Sequence, residues 1–328
     1  HLNYGSYDFW IVKIDAYGNF QWEQSFGGTG TQWLYTLQQT NDGGYILGGS
    51  SLSNDGDVGG NNGSYDSWIV KIDAFGNLQW EQNFGGSNEE QIYSLQQTND
   101  GGYILGGFSN SNDGDVGGNN GEYDFWIVKT DASGNLLWEQ NFGGNKWDKL
   151  HSIQQSTDGG YILGGFSLSN DGDLNGNNGG VDYWVVKTDN LGNLVWEQNF
   201  GGSGGDVSTS LQQTNDGGYI LGGYSYSNNG DIDVNYGRND YWIVKLSPPC
   251  TTNTNCLTPD SLSLVALYNA TDGPNWTNTW DLSQPVSTWY GVTISTDGCS
   301  IEEIYLSNNQ LSGSIPPQLG NLNNLKKL

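Results

Sequence analysis

A repeat of 58 residues dominates this sequence and sets the strongest limit on its fold. Segments related to DFWIVKID begin at Asp8, Asp66, Asp124, Asp182 and Asp240. The tripeptide WEQ keeps the same interval, at Trp22, Trp80, Trp138 and Trp196. The segment DGGYILGG keeps it too, at Asp42, Asp100, Asp158 and Asp216. A fixed period of this kind indicates units that bury their apolar faces against their neighbours.

Each period contains four predicted β-strands. The first covers residues 35–40 and the second residues 45–51, and the turn NDGG between them suits a tight hairpin. A long acidic loop leads to the third strand, DFWIVKID, and a YGN turn leads to the fourth, FQWEQSF. No segment before residue 250 has an apolar period of about 3.6 over ten residues, which argues against a helical solenoid.

The third strand is apolar on both faces. Trp10, Val12 and Ile14 share one face, and Phe9, Ile11 and Lys13 share the other, so both faces are largely apolar. A strand that is covered on one side alternates apolar and polar residues, so this strand is expected to be covered on both sides. Four-stranded sheets stacked around an axis provide that cover. The sequence therefore predicts a mainly β fold, a β-propeller of four-stranded blades.

The order of these motifs resembles kelch-type propeller blades. It is more similar to the repeat arrays of large secreted Bacteroidetes proteins, with their DYWIVKLD…GN…W units, and the resemblance covers residues 8–246. The third strand occurs five times, whereas the first pair and the fourth strand each occur four times. The ring is therefore expected to be incomplete at the N-terminus. Five blades would need one more hairpin and a closing strand, and further upstream repeats are equally compatible.

One lysine recurs in every third strand and is expected to be structural. These residues are Lys13, Lys71, Lys129, Lys187 and Lys245. The hairpin is expected to place each one near the Trp and Glu of the next WEQ, as a cross-strand ion pair or a cation–π contact. A catalytic role is disfavoured because active sites are rarely repeated once in every blade.

The acidic loop before the third strand has the spacing of an EF-hand-type calcium loop. Such a loop places oxygen ligands at positions 1, 3, 5, 7, 9 and 12 and glycine at position 6. The candidate calcium ligands in the four loops are Asp55, Asp57 and Asp66; Asp113, Asp115 and Asp124; Asp171, Asp173, Asn175 and Asp182; and Asp231, Asp233 and Asp240.

The alternative for this loop is a connection rich in glycine, Asn and Asp that binds no ion. Gly59 and Gly117 occupy position 5 in two loops, and Val234 replaces the glycine of the fourth. Position 12 holds Asp rather than the usual bidentate Glu, and no helices flank the loop. Residues such as Asp66 would then only cap a turn. Calcium is the cofactor that the sequence suggests, and both interpretations stay open here.

The pattern changes after residue 246. Residues 247–258 are a linker by composition, and residues 259–269 are predicted to form a helix with Pro259 in its first turn. The segment IYLSNNQLSGSIPPQLGNL closely resembles plant-type leucine-rich repeats. The segment before it, with Trp289 in WYGV, resembles their N-terminal cap. The resemblance covers residues 259–328 and implies the start of an α/β leucine-rich repeat solenoid.

Three cysteines, at Cys250, Cys256 and Cys299, lie in the last third of the chain. None has a C-x-x-C spacing, so a zinc site is poorly supported. In an exported protein the simplest arrangement is one disulfide and one free thiol. Cys256 pairs with either Cys299 or Cys250, and the sequence does not choose between them.

The charge balance argues against two classes of partner. The chain has 36 acidic and 10 basic residues, a formal net charge of −26. Nucleic acids and anionic membranes bind through Lys and Arg, so neither is expected as a partner. No apolar run approaches the ~20 residues of a membrane helix.

The function expected from the sequence is non-catalytic binding or adhesion at the cell surface or outside the cell, toward a protein or a polysaccharide. The histidines are His1 and His151, and no nucleophile or metalloprotease motif is present. A structural spacer and an accessory region of a carbohydrate-active enzyme are the alternatives. For the enzyme, residues 145–151, NKWDKLH, are the only deviating segment. Because the chain begins at His1, we expect a fragment or a mature segment.

Overall fold

The structure is a computed structural model, and it describes residues 5–246, 259–282, 284, 286–295, 300–322 and 324–328. Its contacts divide the chain into two compact units. The first unit contains residues 1–213 and 220–244, and the second contains residues 214–219 and 245–328. The predicted linker at 247–258 and the cysteines Cys250, Cys256 and Cys299 lie outside the described residues.

The repeats form antiparallel sheets whose strands follow chain order. The four-stranded sheets are β3 (Gln32–Gln39), β4 (Tyr45–Ser51), β5 (Asp66–Ile72) and β6 (Leu78–Phe84); β7 (Glu90–Gln97), β8 (Tyr103–Ser109), β9 (Asp124–Thr130) and β10 (Leu136–Phe142); and β11 (Asp148–Gln155), β12 (Tyr161–Ser167), β13 (Asp182–Thr188) and β14 (Leu194–Phe200). Before them lie β1 (Phe9–Ile14) and β2 (Phe20–Phe26), and after them β15 (Asp206–Gln213), β16 (Tyr219–Ser225) and β17 (Asp240–Leu246).

The predicted four-strand period is confirmed. The strands predicted at 45–51 and within FQWEQSF have the observed bounds, while the first strand begins at Gln32 rather than at residue 35. The fold is mainly β and consists of repeated four-stranded antiparallel sheets. A closed propeller is not found among the described residues.

The core of the first unit lies between consecutive sheets. The ring centroids of Phe9 and Trp68 are 4.6 Å apart, and those of Phe125 and Trp184 are 4.4 Å apart. In β5, β9 and β13 every residue is buried, because a neighbouring sheet covers each face of these strands. The prediction that the third strand is covered on both faces is therefore correct for these three sheets.

The second unit contains a helix and short strands around an aromatic core. Its elements are α1 (Pro259–Ala270), three 3₁₀ helices (Gly273–Asn275, Val286–Thr288 and Pro317–Asn321), β18 (Val292–Ile294) and β19 (Ile301–Ile304). Trp276, Trp280 and Trp289 pack together in this core. The predicted helix is confirmed and extends by one residue.

Asn309, within the segment that resembles a leucine-rich repeat, is a structural residue of this unit. Asn309 is buried, its side-chain oxygen accepts a hydrogen bond from the Asn278 backbone N–H at 2.6 Å, and its side-chain nitrogen donates to the Asn278 carbonyl. Glu303 forms a parallel bridge with Lys327, 24 residues further along the chain. This spacing agrees with the strand interval of leucine-rich repeats. No helix in the described part of the chain is long and apolar enough to cross a membrane.

Candidate functional site

A β-bulge recurs in the first strand of the four-stranded sheets. Pairing between β3 and β4 shifts between Leu34 and Thr36, and the equivalent shifts occur in β7 and β11. The extra residue in each bulge is Tyr35, Tyr93 or His151, and these three positions are 58 residues apart. A bulge leaves one residue outside the ladder and redirects its side chain. The repeat therefore presents one bulged ring from each of three successive sheets.

These bulged side chains form a continuous set of ring contacts. The ring centroids of Tyr35 and Tyr93 are 4.7 Å apart, and those of Tyr93 and His151 are 5.4 Å apart. Phe108 lies 5.7 Å from Tyr93, and Phe166 lies 5.5 Å from His151. With two further residues we call this set the aromatic band: Tyr35, Tyr93, Phe108, Tyr123, Trp147, His151 and Phe166.

One end of the aromatic band carries a lysine. Tyr123 lies between Phe108 and Trp147, with centroid distances of 5.0 Å and 5.9 Å. The Lys149 ammonium lies 3.9 Å from the Phe108 centroid and 4.1 Å from the Tyr123 centroid, which is cation–π geometry. Burial lowers the pKa of Lys149, and the nearby Glu89 opposes that change.

The aromatic band also includes hydrogen-bonding groups and exposed ring surface. The Glu89 carboxylate accepts a hydrogen bond from the Tyr123 hydroxyl at 3.0 Å. Trp147 is 44% exposed and Tyr35 is 39% exposed. Exposed aromatic rings beside a few charged groups are typical of recognition surfaces.

His151 is held as a packing and hydrogen-bonding residue. Its Nδ1 lies 2.9 Å from the Ser208 carbonyl oxygen, so this nitrogen is the donor. Burial lowers the pKa of His151, which favours the neutral ring. Tyr35 and Tyr93 occupy the same repeat position, so His151 is a substitution within the repeat.

The first acidic residues of each loop bind backbone N–H groups beside the neighbouring sheet. Asp55 accepts hydrogen bonds from the backbone and the hydroxyl of Thr29 at 2.7 and 2.8 Å, and Asp57 accepts from the Gly27 N–H at 3.1 Å. Asp113, Asp115, Asp171, Asp173 and Asp231 repeat these backbone bonds. Asn175 binds Glu197, and Asp233 is exposed. These contacts hold the loop in place.

The last residue of each loop accepts a hydrogen bond from a backbone N–H four residues earlier. One Asp66 oxygen accepts from Asn62 at 2.7 Å, and Asp124, Asp182 and Asp240 form the same bond. Among the residues that the structure describes, no three Asp, Glu, His or Cys side chains form a group arranged to hold a metal ion. The contacts are those of the Asn- and Asp-rich alternative, and calcium binding within a loop stays a prediction.

The sequence argument missed a second set of buried carboxylates. Glu90, Asp148 and Asp206 are the first residues of β7, β11 and β15 and are fully buried. Each lies beside the last acidic residue of a loop from the preceding repeat. We call these couples the inter-sheet carboxylate pairs: Asp66–Glu90, Asp124–Asp148 and Asp182–Asp206. Their signal in the sequence is an acid at 58-residue spacing, with Gln32 at the same position in the first repeat.

Burial shifts the protonation of these pairs. It raises the pKa of Asp66 to about 7, and the carboxylates of Glu90 and Asp115 add to the shift. It raises the pKa of Asp124 to about 7 and that of Asp182 to about 6 in the same way. The Oδ1 atom of each of these three aspartates is buried and has no hydrogen-bond partner.

The prediction for the repeated lysine is wrong about the carboxylate with which it forms an ion pair. Lys71 lies opposite Trp80 in the sheet, as expected, but its ammonium forms its ion pair with Asp42 of the DGG turn, at 2.8 Å. The expected partner Glu81 instead accepts a hydrogen bond from the Trp68 indole at 2.8 Å. Lys129 and Lys187 pair in the same way with Asp100 and Asp158. A cation–π contact with the WEQ tryptophan is seen for Lys13, 5.9 Å from the Trp22 centroid.

Comparison with family models gives a match to one short segment of the chain. Residues 300–322 match the family model described as Leucine Rich Repeat, in the segment where the sequence predicts such a repeat. A search of curated proteins found no match.

Two solved structures are similar at low identity. Sqt1 from Chaetomium thermophilum is 15% identical, and the match covers 60% of this chain and 41% of that chain, with a TM-score of 0.33. A protein of unknown function from Bacteroides caccae is 12% identical, and the match covers 67% of this chain and 84% of that chain, with a TM-score of 0.31. The chain thus spans less than half of the Sqt1 chain.

Proposed function

We propose that this chain is a non-catalytic binding or adhesion module whose aromatic band contacts a polysaccharide. The observation that carries the proposal is the joining of bulged rings from three sheets into one band with Trp147 and Lys149 at its end. The exposed rings supply apolar stacking surface, while Glu89 and Lys149 supply charged hydrogen-bonding groups. Sugars offer both an apolar ring face and hydroxyl groups, so this combination suits them.

The deviating segment at 145–151 supports binding rather than catalysis. Trp147, Lys149 and His151 of this segment all belong to or contact the aromatic band. Asp148, the acid that the enzyme alternative would use, is fully buried and accepts hydrogen bonds from Ser169 and Gly144 at 2.8 Å. The segment therefore offers rings and a cation to a ligand rather than a reactive carboxylate.

The sheets are proposed to be blades of a β-propeller of the kelch-like type. The first strands of consecutive sheets contact each other, β3 with β7, β7 with β11 and β11 with β15, as inner strands around an axis do. A location outside the cell or at its surface belongs to the same proposal, and it is supported by the resemblance to secreted repeat arrays and by the acidic, turn-rich composition.

A protein surface is the second ligand class for this site. Tyr and Trp are enriched at the centres of protein interfaces, and the aromatic band contains both. A spacer function would leave the aromatic band without a ligand.

Screening against a glycan array, followed by affinity electrophoresis in gels that contain the soluble polysaccharides selected, tests the proposal. We expect Trp147→Ala to weaken binding at least about tenfold, which corresponds to the loss of one interface anchor of about 1.4 kcal/mol. Phe75→Ala is the matched control, because Phe75 is 76% exposed on a turn outside the aromatic band. No retardation by any polysaccharide, or an equal loss in both variants, would refute polysaccharide binding at this site.

A further inference from the structure

We propose that each inter-sheet carboxylate pair binds one calcium ion between consecutive sheets. These sites share Asp66, Asp124 and Asp182 with the predicted loop ligands, but the second carboxylate comes from the next sheet. They are separate from the aromatic band and do not depend on the proposed binding function.

A glycine leaves room for the two carboxylates of each pair. A methyl group added to Gly85 would lie 2.5 Å from Glu90 Oε2 and 2.9 Å from Asp66 Oδ1. At Gly143 the same atom would lie 2.3 Å from Asp124 Oδ1 and 2.7 Å from Asp148 Oδ2. Gly201 has the equivalent distances of 2.3 Å and 2.8 Å to Asp182 and Asp206. Only a residue without a side chain leaves this space, so both oxygens face one small cradle.

The oxygen that faces the cradle from the loop side has no partner in the protein. Asp66 is fully buried; its Oδ2 accepts the Asn62 N–H, whereas its Oδ1 has no hydrogen-bond partner. Asp124 and Asp182 repeat this arrangement. A buried carboxylate oxygen without a donor is costly, and buried charges are normally paired or bound to a metal. The repetition in three successive repeats makes this a feature of the fold.

In the first two pairs the other carboxylate accepts several hydrogen bonds, which oppose the rise that burial causes in the pKa of Glu90 and Asp148. Glu90 accepts hydrogen bonds from the Ser109 hydroxyl at 2.7 Å and the Gly86 N–H at 2.8 Å. Asp148 accepts from Ser167, Ser169 and Gly144. Donors of this kind stabilise the charged carboxylate.

The charges acting on each pair are negative. Asp115 adds a third negative charge near Asp66 without joining the pair as a ligand, and its Oδ2 accepts the Gly85 N–H at 3.2 Å. Asp173 and Asp231 take the same place at the other two pairs. One proton neutralises a single carboxylate, whereas a divalent cation neutralises two. The protein ligands in each pair are carboxylate oxygens alone. Such ligands suit a hard cation such as calcium, with water completing a shell of six to eight ligands.

The first repeat provides a natural control. At Gly27 the added methyl group would lie 2.5 Å from Asp8 Oδ1 and 2.6 Å from Gln32 Oε1, so an amide replaces the second carboxylate. Gln32 accepts a hydrogen bond from the Gly28 N–H and donates to Ser53. The fold therefore accepts glutamine at this position, and the site with one carboxylate is expected to bind calcium far more weakly.

Calcium titration of the full chain after chelation tests the proposal. We expect isothermal titration calorimetry to find one ion for each of the three pairs, with dissociation constants of roughly 10⁻⁴ to 10⁻³ M, as in extracellular calcium modules. The melting temperature should rise by a few °C at saturation and fall again with excess chelator. Glu90→Gln, which copies Gln32, should remove one ion, and Gln32→Glu should add one.

Asp113→Asn is the matched control against an ion in the loop. Asn229 occupies this position in the fourth loop and accepts the same backbone hydrogen bond, from Ser203 at 2.9 Å, so the variant is expected to fold. Its stoichiometry should equal that of the unmodified chain. Loss of an ion in Asp113→Asn with none lost in Glu90→Gln would overturn the proposal. So would a melting temperature that responds to acid but not to calcium, because the pairs would then hold protons alone.

Discussion

Third strands of nearly identical sequence are buried on both faces in the middle of the repeat region, but each has one exposed face at the two ends. Trp126 in β9 is fully buried, whereas Trp10, its equivalent in β1, is 63% exposed. Phe125 in β9 is fully buried, whereas Tyr241, its equivalent in β17, is 97% exposed. The strand sequences FWIVKI and DFWIVKT differ little, so the difference comes from what lies beside each strand.

The comparison shows that one sheet does not bury its own apolar residues. The cover for Phe125 is Trp184 of the next repeat, at 4.4 Å. A sheet in the middle has such a partner on each face, and a sheet at the end has a partner on one. The stability of this unit is therefore expected to be a sum of interfaces between neighbours, as in other repeat proteins.

Replacing the same tryptophan in the middle and at the end should have the largest effect. We expect Trp126→Ala to lower the free energy of unfolding by about 3 to 5 kcal/mol, the range for large aromatic residues removed from a core. Trp10→Ala should cost about 1 kcal/mol or less, because most of its ring already contacts water. Urea unfolding followed by circular dichroism measures both values.

If both tryptophan variants lost the same free energy of unfolding, the end sheets would be covered to the same extent as the middle sheets. In that case, the burial difference would not describe the protein in solution. The midpoint and the slope of unfolding both need to be compared, because repeat arrays can lose cooperativity.

Removing the ion pairs of the DGG turns should have a smaller effect on stability, which again differs between the middle and the end of the repeat region. Lys71 pairs with Asp42 and its side chain is 4% exposed, whereas Lys245 pairs with Asp216 and is 40% exposed. Asp42→Asn should lower the free energy of unfolding by about 1 kcal/mol, since it removes a charged hydrogen bond from a buried lysine, while water screens the exposed Asp42 carboxylate. Asp216→Asn should cost clearly less than Asp42→Asn, because its ion pair is exposed to water. Equal losses would contradict the difference in lysine burial.

Acid provides an independent check of the Asp42 pair. The hydrogen bond from Lys71 lowers the pKa of Asp42 to about 2, whereas an aspartate in an unfolded chain titrates near 3.9. The folded state therefore binds fewer protons than the unfolded state between these pH values. The ion pair's contribution to stability is fully present above pH 4 and is lost as the pH falls toward 2. The gap in stability between the unmodified chain and Asp42→Asn should narrow over this range. A gap that stays constant down to pH 2 would show that the ion pair does not set this pKa.

The strands and their turns were predictable from the sequence because their signals are local. Alternating apolar residues and the positive-φ Gly43 of the DGG turn lie within one hairpin, so the bounds of β4 were predicted to the residue. The interfaces between sheets were not predictable in the same way. The pairing of Lys71 with Asp42 and the meeting of Asp66 with Glu90 depend on how strands cross and how sheets stack, which no local pattern specifies.

The aromatic band was missed for a similar reason. Tyr35, Tyr93 and His151 are visible at one repeat position, but a bulge in each first strand is needed to bring their rings together. In the second unit the leucine-rich motif was recognised because its asparagine and its leucines lie at fixed spacing within one short segment. For the first unit, calcium binding, glycan binding and a location at the cell surface stay proposals.

Hydrogen–deuterium exchange followed by mass spectrometry tests the neighbour-dependent burial most directly. Peptides from β1, β5, β9, β13 and β17 carry almost the same sequence, so intrinsic exchange rates are matched. We expect amides in β5, β9 and β13 to exchange on the order of 100-fold more slowly than those in β1 and β17, because opening a middle strand disrupts two interfaces. Equal protection in all five strands would contradict burial that is supplied by neighbouring sheets.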